Sequence, residues 1–172
     1  MRRLFTFILP LLIIMSFTVA DLKPADTDQA VTFTIKNFGI NTKGEIKGLK
    51  GGIKWDPAKP ASSAFNVTAD VNTISTGIDM RDSHLKKEEY FDVAKFPAIS
   101  FASTAVNNGN VTGNLTIKGI TKSINFPFTV TPSGGGYIFE GEFTIDRKEF
   151  NVGSGSMSLG NSVTVHLKVQ AK

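Results

Sequence analysis

The 172-residue sequence predicts an all-β fold, an antiparallel barrel or sandwich of about eight or nine strands with one short helix. Three observations predict it. Apolar residues recur at every second position through most of the chain, the period of a strand with one buried face. Turn-forming pairs and clusters, such as Lys118-Gly119 and Ser133-Gly134-Gly135-Gly136, punctuate these runs. A run of helix formers is confined to one segment. The strand count and shared alternation favour a closed barrel over a sandwich, because closure alone removes both exposed edges.

The first element is a leader. Met1-Arg2-Arg3 is basic, Leu4 to Met15 is apolar, and Ser16-Phe17-Thr18-Val19-Ala20 ends on a small residue. This is the pattern of a signal peptide over residues 1–20, cleaved after Ala20, and it places the protein in the periplasm or outside the cell. Leu4 to Ala20 is only about 17 residues, the lower limit for a span, and Pro10 interrupts it. Residues 21–30 are polar with one proline and read as a flexible lead-in, so residues 31–172 form the barrel.

Strand alternation then runs through Val31, Phe33 and Ile35, and through Phe65, Val67, Ala69 and Val71. It continues with Ile99 and Phe101, with Val111, Leu115 and Ile117, and with Ile124, Phe126, Phe128 and Val130. Tyr137, Phe139, Phe143 and Ile145 follow, and Val163, Val165, Leu167 and Val169 close the chain. Between the fourth and fifth strands, Asp79 to Phe91 is rich in helix formers. Asp79 or Asp82 is expected to cap this helix, and Leu85 and Phe91 to pin it over the barrel. Pro97 starts the next strand, where a missing donor is tolerated.

Composition removes several functions. Lys and Arg number 19 against 15 Asp and Glu, and two of the 19 lie in the leader, which argues against a nucleic-acid surface. The absence of Cys excludes a disulfide scaffold, a thiolate metal site and a Cys nucleophile. Two separated His give little support for a metal centre. A hydrophobic share of 41% with 14 Phe excludes wholesale disorder.

The inward face carries most of the Phe and almost no charge. Gly113 and Gly141 lie in phase with it, and Gly44 and Gly48 bracket Ile46. Such glycines mark bends or bulges, or they leave room inside the barrel. A barrel of this size either fills with side chains or holds one small ligand. A ligand there would be apolar along its length, each CH₂ withdrawn from water contributing about 0.8 kcal/mol.

Three longer stretches are more specific. The first is Arg81-Asp82-Ser83-His84-Leu85, with Glu89-Tyr90-Phe91-Asp92 and Phe96-Pro97-Ala98-Ile99-Ser100-Phe101 after it. The second is Val111-Thr112-Gly113-Asn114-Leu115-Thr116-Ile117-Lys118-Gly119-Ile120-Thr121-Lys122, and the third Ile145-Asp146-Arg147-Lys148-Glu149-Phe150-Asn151-Val152-Gly153. With the less distinctive Phe33-Thr34-Ile35-Lys36-Asn37-Phe38-Gly39, this order resembles the YceI-like family of secreted bacterial lipid-binding proteins. The resemblance implies an extended, lipocalin-like antiparallel barrel whose interior holds a long isoprenoid or other amphiphilic lipid. The chain departs from the family pattern at Lys36-Asn37, where many members carry His-Ser, and at Asn151, where Gly is common.

Arg81, Asp82 and His84 combine a cation, a carboxylate and an imidazole, but neighbours on a short helix point in different directions. They read as a cap and ion-pair clasp. Asp146-Arg147 reads as a strand end anchoring a turn, and His166 as a solvated outward residue. Ser154-Gly155-Ser156 lacks the strand-to-helix context of a nucleophile elbow. Trp55 closes a barrel end or seals a turn.

The expected function is a non-enzymatic protein that sequesters or carries a long-chain lipid, a polyisoprenoid or isoprenoid quinone, without cofactor or metal. The pocket is expected to be lined by Phe33, Ile35, Phe65, Val67, Phe91, Phe101, Leu115, Ile117, Phe126, Phe128, Phe139 and Phe143. A structural or stress-related envelope protein with a filled barrel is one alternative, a lipid-modifying enzyme the other. The partners expected are the lipid itself, a transient membrane surface, and a second copy of the chain where exposed apolar mouths pair.

Overall fold

The computed structural model describes residues 19–107, 109–155 and 157–172. Most of the leader read over residues 1–20 therefore lies outside the described residues. Ten strands form one antiparallel sheet: β1 (Ala20–Leu22), β2 (Val31–Asn37), β3 (Ile40–Glu45), β4 (Lys50–Trp55), β5 (Ala64–Asp70), β6 (Ala98–Asn107), β7 (Asn110–Ile117), β8 (Ile120–Ser133), β9 (Gly136–Asp146) and β10 (Leu159–Ala171). Their order is β1-β4-β5-β6-β7-β8-β9-β10-β2-β3.

The count exceeds the expected eight or nine because β1, β3 and β4 lack clear alternation. Ile-Asn-Thr-Lys-Gly-Glu and Lys-Gly-Gly-Ile-Lys-Trp are strands because a neighbour pairs with them, so tertiary context overrides weak propensity. Two-residue hairpins at Phe38-Gly39 (φ 48° and 76°) and Lys118-Gly119 (φ 50° and 75°) supply the left-handed pairs that match strand twist.

The expected continuous closure is not what forms. The sheet curls into a half-barrel, and its outer strands, β1 and β3, do not pair with each other. Single bridges Pro24↔Ala171 and Glu45↔Ser75 bring the edges round instead. The reason lies in residues 46–49, which cross one end of the sheet rather than turning back, with Lys47 O accepting from Asp70 N at 3.0 Å. Both edges are protected, one by its shortness and the other by charged Lys43 and Glu45.

The expected loose lead-in over 21–30 is also corrected. Lys23 N donates to Lys172 O and Ala25 N to Gln170 O, both at 2.7 Å, and Leu22 and Ala30 are buried. Two apolar residues in a polar stretch suffice to bring its backbone onto β10.

The helix α1 is shorter than the sequence suggests, Asp79–Leu85. Leu85 and Phe91 stand six residues apart, about 240° around a helix, so a continuous helix cannot turn both inward. The chain breaks into turns after Leu85, and Asp92 (φ 48°) completes the reversal. Neither Asp79 nor Asp82 caps α1; the N-cap is Ile78, without a side-chain bond.

The two ends of the half-barrel differ. At one, Trp55 packs edge-on against Phe128 and Phe139 (centroids 6.0 and 5.6 Å), and Phe65 against the same two rings (5.7 and 5.5 Å). Edge-to-face pairs of this kind contribute about 0.5–1.5 kcal/mol each beyond burial. This is the closed end, where Trp55 is buried and its indole N–H meets no acceptor among the described residues. At the other end α1, the turns after it and the 3₁₀ turn Arg147–Phe150 form a lid.

Candidate functional site: a lined tunnel

Strand alternation aims one face of each strand into the half-barrel, yet those side chains do not fill it. Phe33, Ile35, Ile99, Phe101, Phe143, Ile145, Val163 and Val165 face inward and remain only half-buried. Three cavities lie in a row beneath them. The lid-end cavity is about 140 Å³, the middle one about 130 Å³, and the one toward the closed end about 70 Å³. An apolar cavity of about 150 Å³ takes up benzene, so the larger two are each of a size to hold several carbons. Ile99, Ile117, Ile145 and Val165 wall both the first and second. Leu49, Val67, Phe101, Phe126 and Leu167 wall both the second and third.

All twelve residues expected at the pocket line these spaces. Phe33, Ile35, Phe91 and Ile117 stand at the lid end. Val67, Phe101, Leu115, Phe126 and Phe143 surround the middle. Phe65, Phe128 and Phe139 stand at the far cavity, next to the packed aromatic end.

The inward glycines have a specific use. A Cβ on Gly44 would lie 2.7 Å from Phe33 Cε1, one on Gly113 2.6 Å from Phe101 Cε2, and one on Gly141 3.1 Å from Phe126 Cε2. Each phenyl ring lies over a neighbouring strand's glycine. The space freed is taken by the chain's own rings, which rest against the wall instead of projecting into the centre. Gly113 also sits beside a register shift between Ser103 and Ala105, so both sequence readings of a strand glycine apply there.

Sequence reasoning missed part of the lid end. Thr42, Thr76, Arg81, Tyr90 and Arg147 line the lid-end cavity with Ile46, Leu85, Phe150, Val152, Leu159 and Val163. The apolar members of β9 and β10 were in phase and could have been chosen. Arg147 could not, because it enters from the turn after β9 and belongs to no strand phase. The surface these residues present to the cavity is apolar, as the inward phase predicts, because the nitrogens of Arg81 and Arg147 are turned to Thr76 and to the 152–161 loop.

The sequence clusters resolve into clasps. Asp82 is buried, accepts from Thr76 N at 2.8 Å, and takes a short hydrogen bond from Thr76 Oγ1. Arg81 Nε donates to the same Thr76 Oγ1 at 2.7 Å and its Nη2 to Thr76 O at 2.9 Å. Arg81 and Asp82 thus meet through Thr76 rather than as the expected direct ion pair. His84 lies on the surface, 3.6 Å from Glu89. His166 points outward to Glu142 at 2.8 Å. Asp146 accepts from Lys148 N at 2.8 Å and caps the turn that carries Arg147. Asn151, where the family pattern favours Gly, has φ 52°, a left-handed position that Asn also tolerates.

Titration shifts lie outside the tunnel. Hydrogen bonds from the Asn72 side chain and backbone hold the Asp70 carboxyl below its ordinary value. Lys47, bonded to Asp28 and Glu45, and Lys95, bonded to Asp92 and Glu88, are raised.

Comparison with known proteins agrees with this architecture. Among solved structures, BcnA of Burkholderia cenocepacia superposes with a TM-score of 0.77 at 29% identity, over 88% of this chain and 96% of that one. A YceI protein of Campylobacter jejuni gives 0.65 at 26% identity, over 76% and 84%. A polyisoprenoid-binding domain from Saccharophagus degradans gives 0.69 at 14% identity, over 88% and 97%, a likeness of fold. In sequence, the UPF0312 protein YE1254 of Yersinia enterocolitica is 34% identical over 133 residues, 71% of this chain and 69% of its own length. The sequence profile of the YceI-like domain matches residues 22–171, so the chain belongs to the YceI-like family.

Proposed function

We propose that this chain is a binding protein, not an enzyme, that holds the hydrocarbon tail of one long-chain lipid, a polyisoprenoid or isoprenoid quinone, in its tunnel. The observation that carries the reading is the row of cavities beneath inward residues that remain half-buried. Apolar walls offer a tail shape and dryness, and the charged side chains beside the lid-end cavity, Arg81 and Arg147, are committed to clasps. Most of the hydrophobic gain is already realised when the lipid rests in a bilayer, so exchange is near balance and is decided by chain ordering and head-group contacts. That balance suits a carrier or store.

The rim supports exchange with a bilayer. Phe38 and Ile40, 79% and 71% exposed at the β2–β3 hairpin, adjoin cavity residue Asn37, and exposed Met157 lies two residues from Leu159. Phe38 N donates to Ser158 O at 2.7 Å, tying the two tips together. The leader is read as an export signal, and exported protein is expected to begin at Asp21. Asp21 and Leu22 would remain paired to Lys54 and Ile53.

The test is native mass spectrometry of protein purified from its own host. One lipid per chain is the expected result. An empty chain that also fails to take up added lipid would refute the carrier and favour a structural role, and a chemically altered lipid released on incubation would favour an enzyme.

A further inference from the structure

Two local choices at the lid end run against the fold. Phe38 has φ 48° at the first turn position of the β2–β3 hairpin, a left-handed site that favours Asn, Asp or Gly. The matching β7–β8 turn carries the polar Lys118 there, at φ 50°. Ile78 is the N-cap of α1 and makes no side-chain bond, where Ser, Thr, Asp or Asn would stabilise the helix. Both side chains are exposed, Phe38 at 79% and Ile78 at 52%, so burial does not offset the local cost. Local rules broken without a gain in packing mark sites kept for another purpose.

The two belong to one rim. Six large apolar side chains are exposed among the described residues. Five of them, Phe38, Ile40, Ile78, Met80 and Met157, stand within two positions of a residue lining the lid-end cavity. Their three segments are tied together. Phe38 N donates to Ser158 O at 2.7 Å, and Glu45 and Ser75 exchange backbone bonds at 2.8 and 3.0 Å. Across residues 37–42, 71–80 and 150–162 the sequence carries Asp79 as its single ionisable residue, in a chain that is 20% charged. Both methionines outside residues 1–20 are on this rim, and Met is the apolar side chain that adapts best to irregular surroundings.

The apolar residues sit on three separate tips with Gly, Ser, Asn and Thr between them. A protein partner needs one continuous, closely packed face, whereas a fluid interface closes around each tip. Resting on the lipid-binding reading above, in which cargo comes from a bilayer, we propose that the lid end docks on a lipid bilayer by inserting these five side chains. The Trp55 end then points away from the surface. A rim with so little charge docks through apolar burial, so it takes a zwitterionic surface and is insensitive to salt.

The test uses the chain purified from its own host and stripped of lipid, with phosphatidylcholine vesicles as the probe. Sedimentation with vesicles is expected to be the same in about 0.1 M and about 1 M salt. Ile78→Ser with Met80→Ser is expected to weaken it about 100-fold, about tenfold for each side chain that no longer inserts. Ser at the N-cap favours α1, so misfolding does not account for that loss. Neither residue lines the three tunnel cavities, and uptake of palmitate from solution is expected to be unchanged. Because the chain has no Cys, a nitroxide can be attached through Met80→Cys or, on the turn after Trp55, through Lys59→Cys. On docking, the label at 80 is expected to gain contact with oxygen and lose contact with an aqueous nickel chelate, while the label at 59 is unchanged. Absence of sedimentation, binding that needs anionic lipid and is lost at high salt, undiminished binding by the double Ser variant, or equal shielding of both labels would overturn the proposal. An unaltered chain that is dimeric, and monomeric in the double Ser variant, would assign the rim to a second copy and overturn it as well. In each of these cases retained palmitate uptake leaves the tunnel reading standing, and loss of uptake by the unaltered chain overturns that reading on its own.

Discussion

Val165 on β10 offers the sharpest perturbation. It faces Phe33 on β2 and Phe143 on β9, and it walls both the lid-end and middle cavities. Val165→Phe places a ring at that junction without lowering strand propensity. A vacant cavity of about 130 Å³ forfeits roughly 3 kcal/mol at about 24 cal/mol per Å³. A ring filling part of it, less the cost of ordering the side chain, should return about 1 kcal/mol, or roughly 2–4 °C in Tm for a domain of this length. In a filled interior the same change is overpacking and costs about 1–3 kcal/mol. The sign of the stability change therefore separates a tunnel from a core. Binding should move the opposite way. Four tail carbons barred from the inner cavities lose about 3 kcal/mol, roughly a hundredfold, at about 0.8 kcal/mol per CH₂. Thermal unfolding of the lipid-stripped chain and displacement of a fluorescent acyl chain read the two effects. A lower Tm with undiminished long-chain affinity would refute the reasoning.

Gly113→Ala should drive the Phe101 ring off its wall and strain the contact with Ala102 O, at 2.7 Å from the new Cβ. The expected cost is about 1–3 kcal/mol in urea unfolding, with weaker binding of long chains and little change for short ones. Asp70, with its pKa lowered by Asn72, contributes stability that is present above the unfolded value of 3.8 and lost as pH falls through the folded value. Asp70→Asn should remove that acid-limb slope, and urea midpoints across the acid range check it; an unchanged slope would contradict the assignment. Phe38→Asp with Ile40→Asp should slow lipid transfer to and from vesicles while leaving equilibrium affinity in solution unchanged. If the same pair instead converts a dimer to a monomer, the patch joins two copies of the chain.

Legibility followed chemistry. Alternation in Phe126, Phe128, Phe139 and Phe143 exposed the inward face, because a side-chain period of two leaves no second interpretation over so many residues. Eleven of the twelve residues expected at the pocket follow from that phase, and Phe91 from its expected packing beneath the helix. β3 and β4 were hidden, since Gly-rich and polar segments join a sheet only through their neighbours. The incomplete closure was hidden for a related reason: it depends on residues 46–49 crossing the end, which no local pattern announces. Leu85 and Phe91 were correctly placed at the lid, but the break between them is dictated by the need for both to point inward. Arg147 was read as a turn anchor, and it is one. Its place beside the lid-end cavity could not be seen, because a residue outside a strand has no phase from which to infer direction.

The central claim is that a lipid tail lies lengthwise in the tunnel with its terminus near the closed end. Trp55 is the chain's single tryptophan and packs 5.6 Å from Phe139, a wall of the innermost cavity. Its fluorescence, titrated with fatty acids brominated either near the head group or at the terminal carbons, measures the claim directly. The account predicts strong quenching by terminal bromine and little by bromine near the head. Saturable binding with equal quenching from both positions, or with none from either, would contradict it.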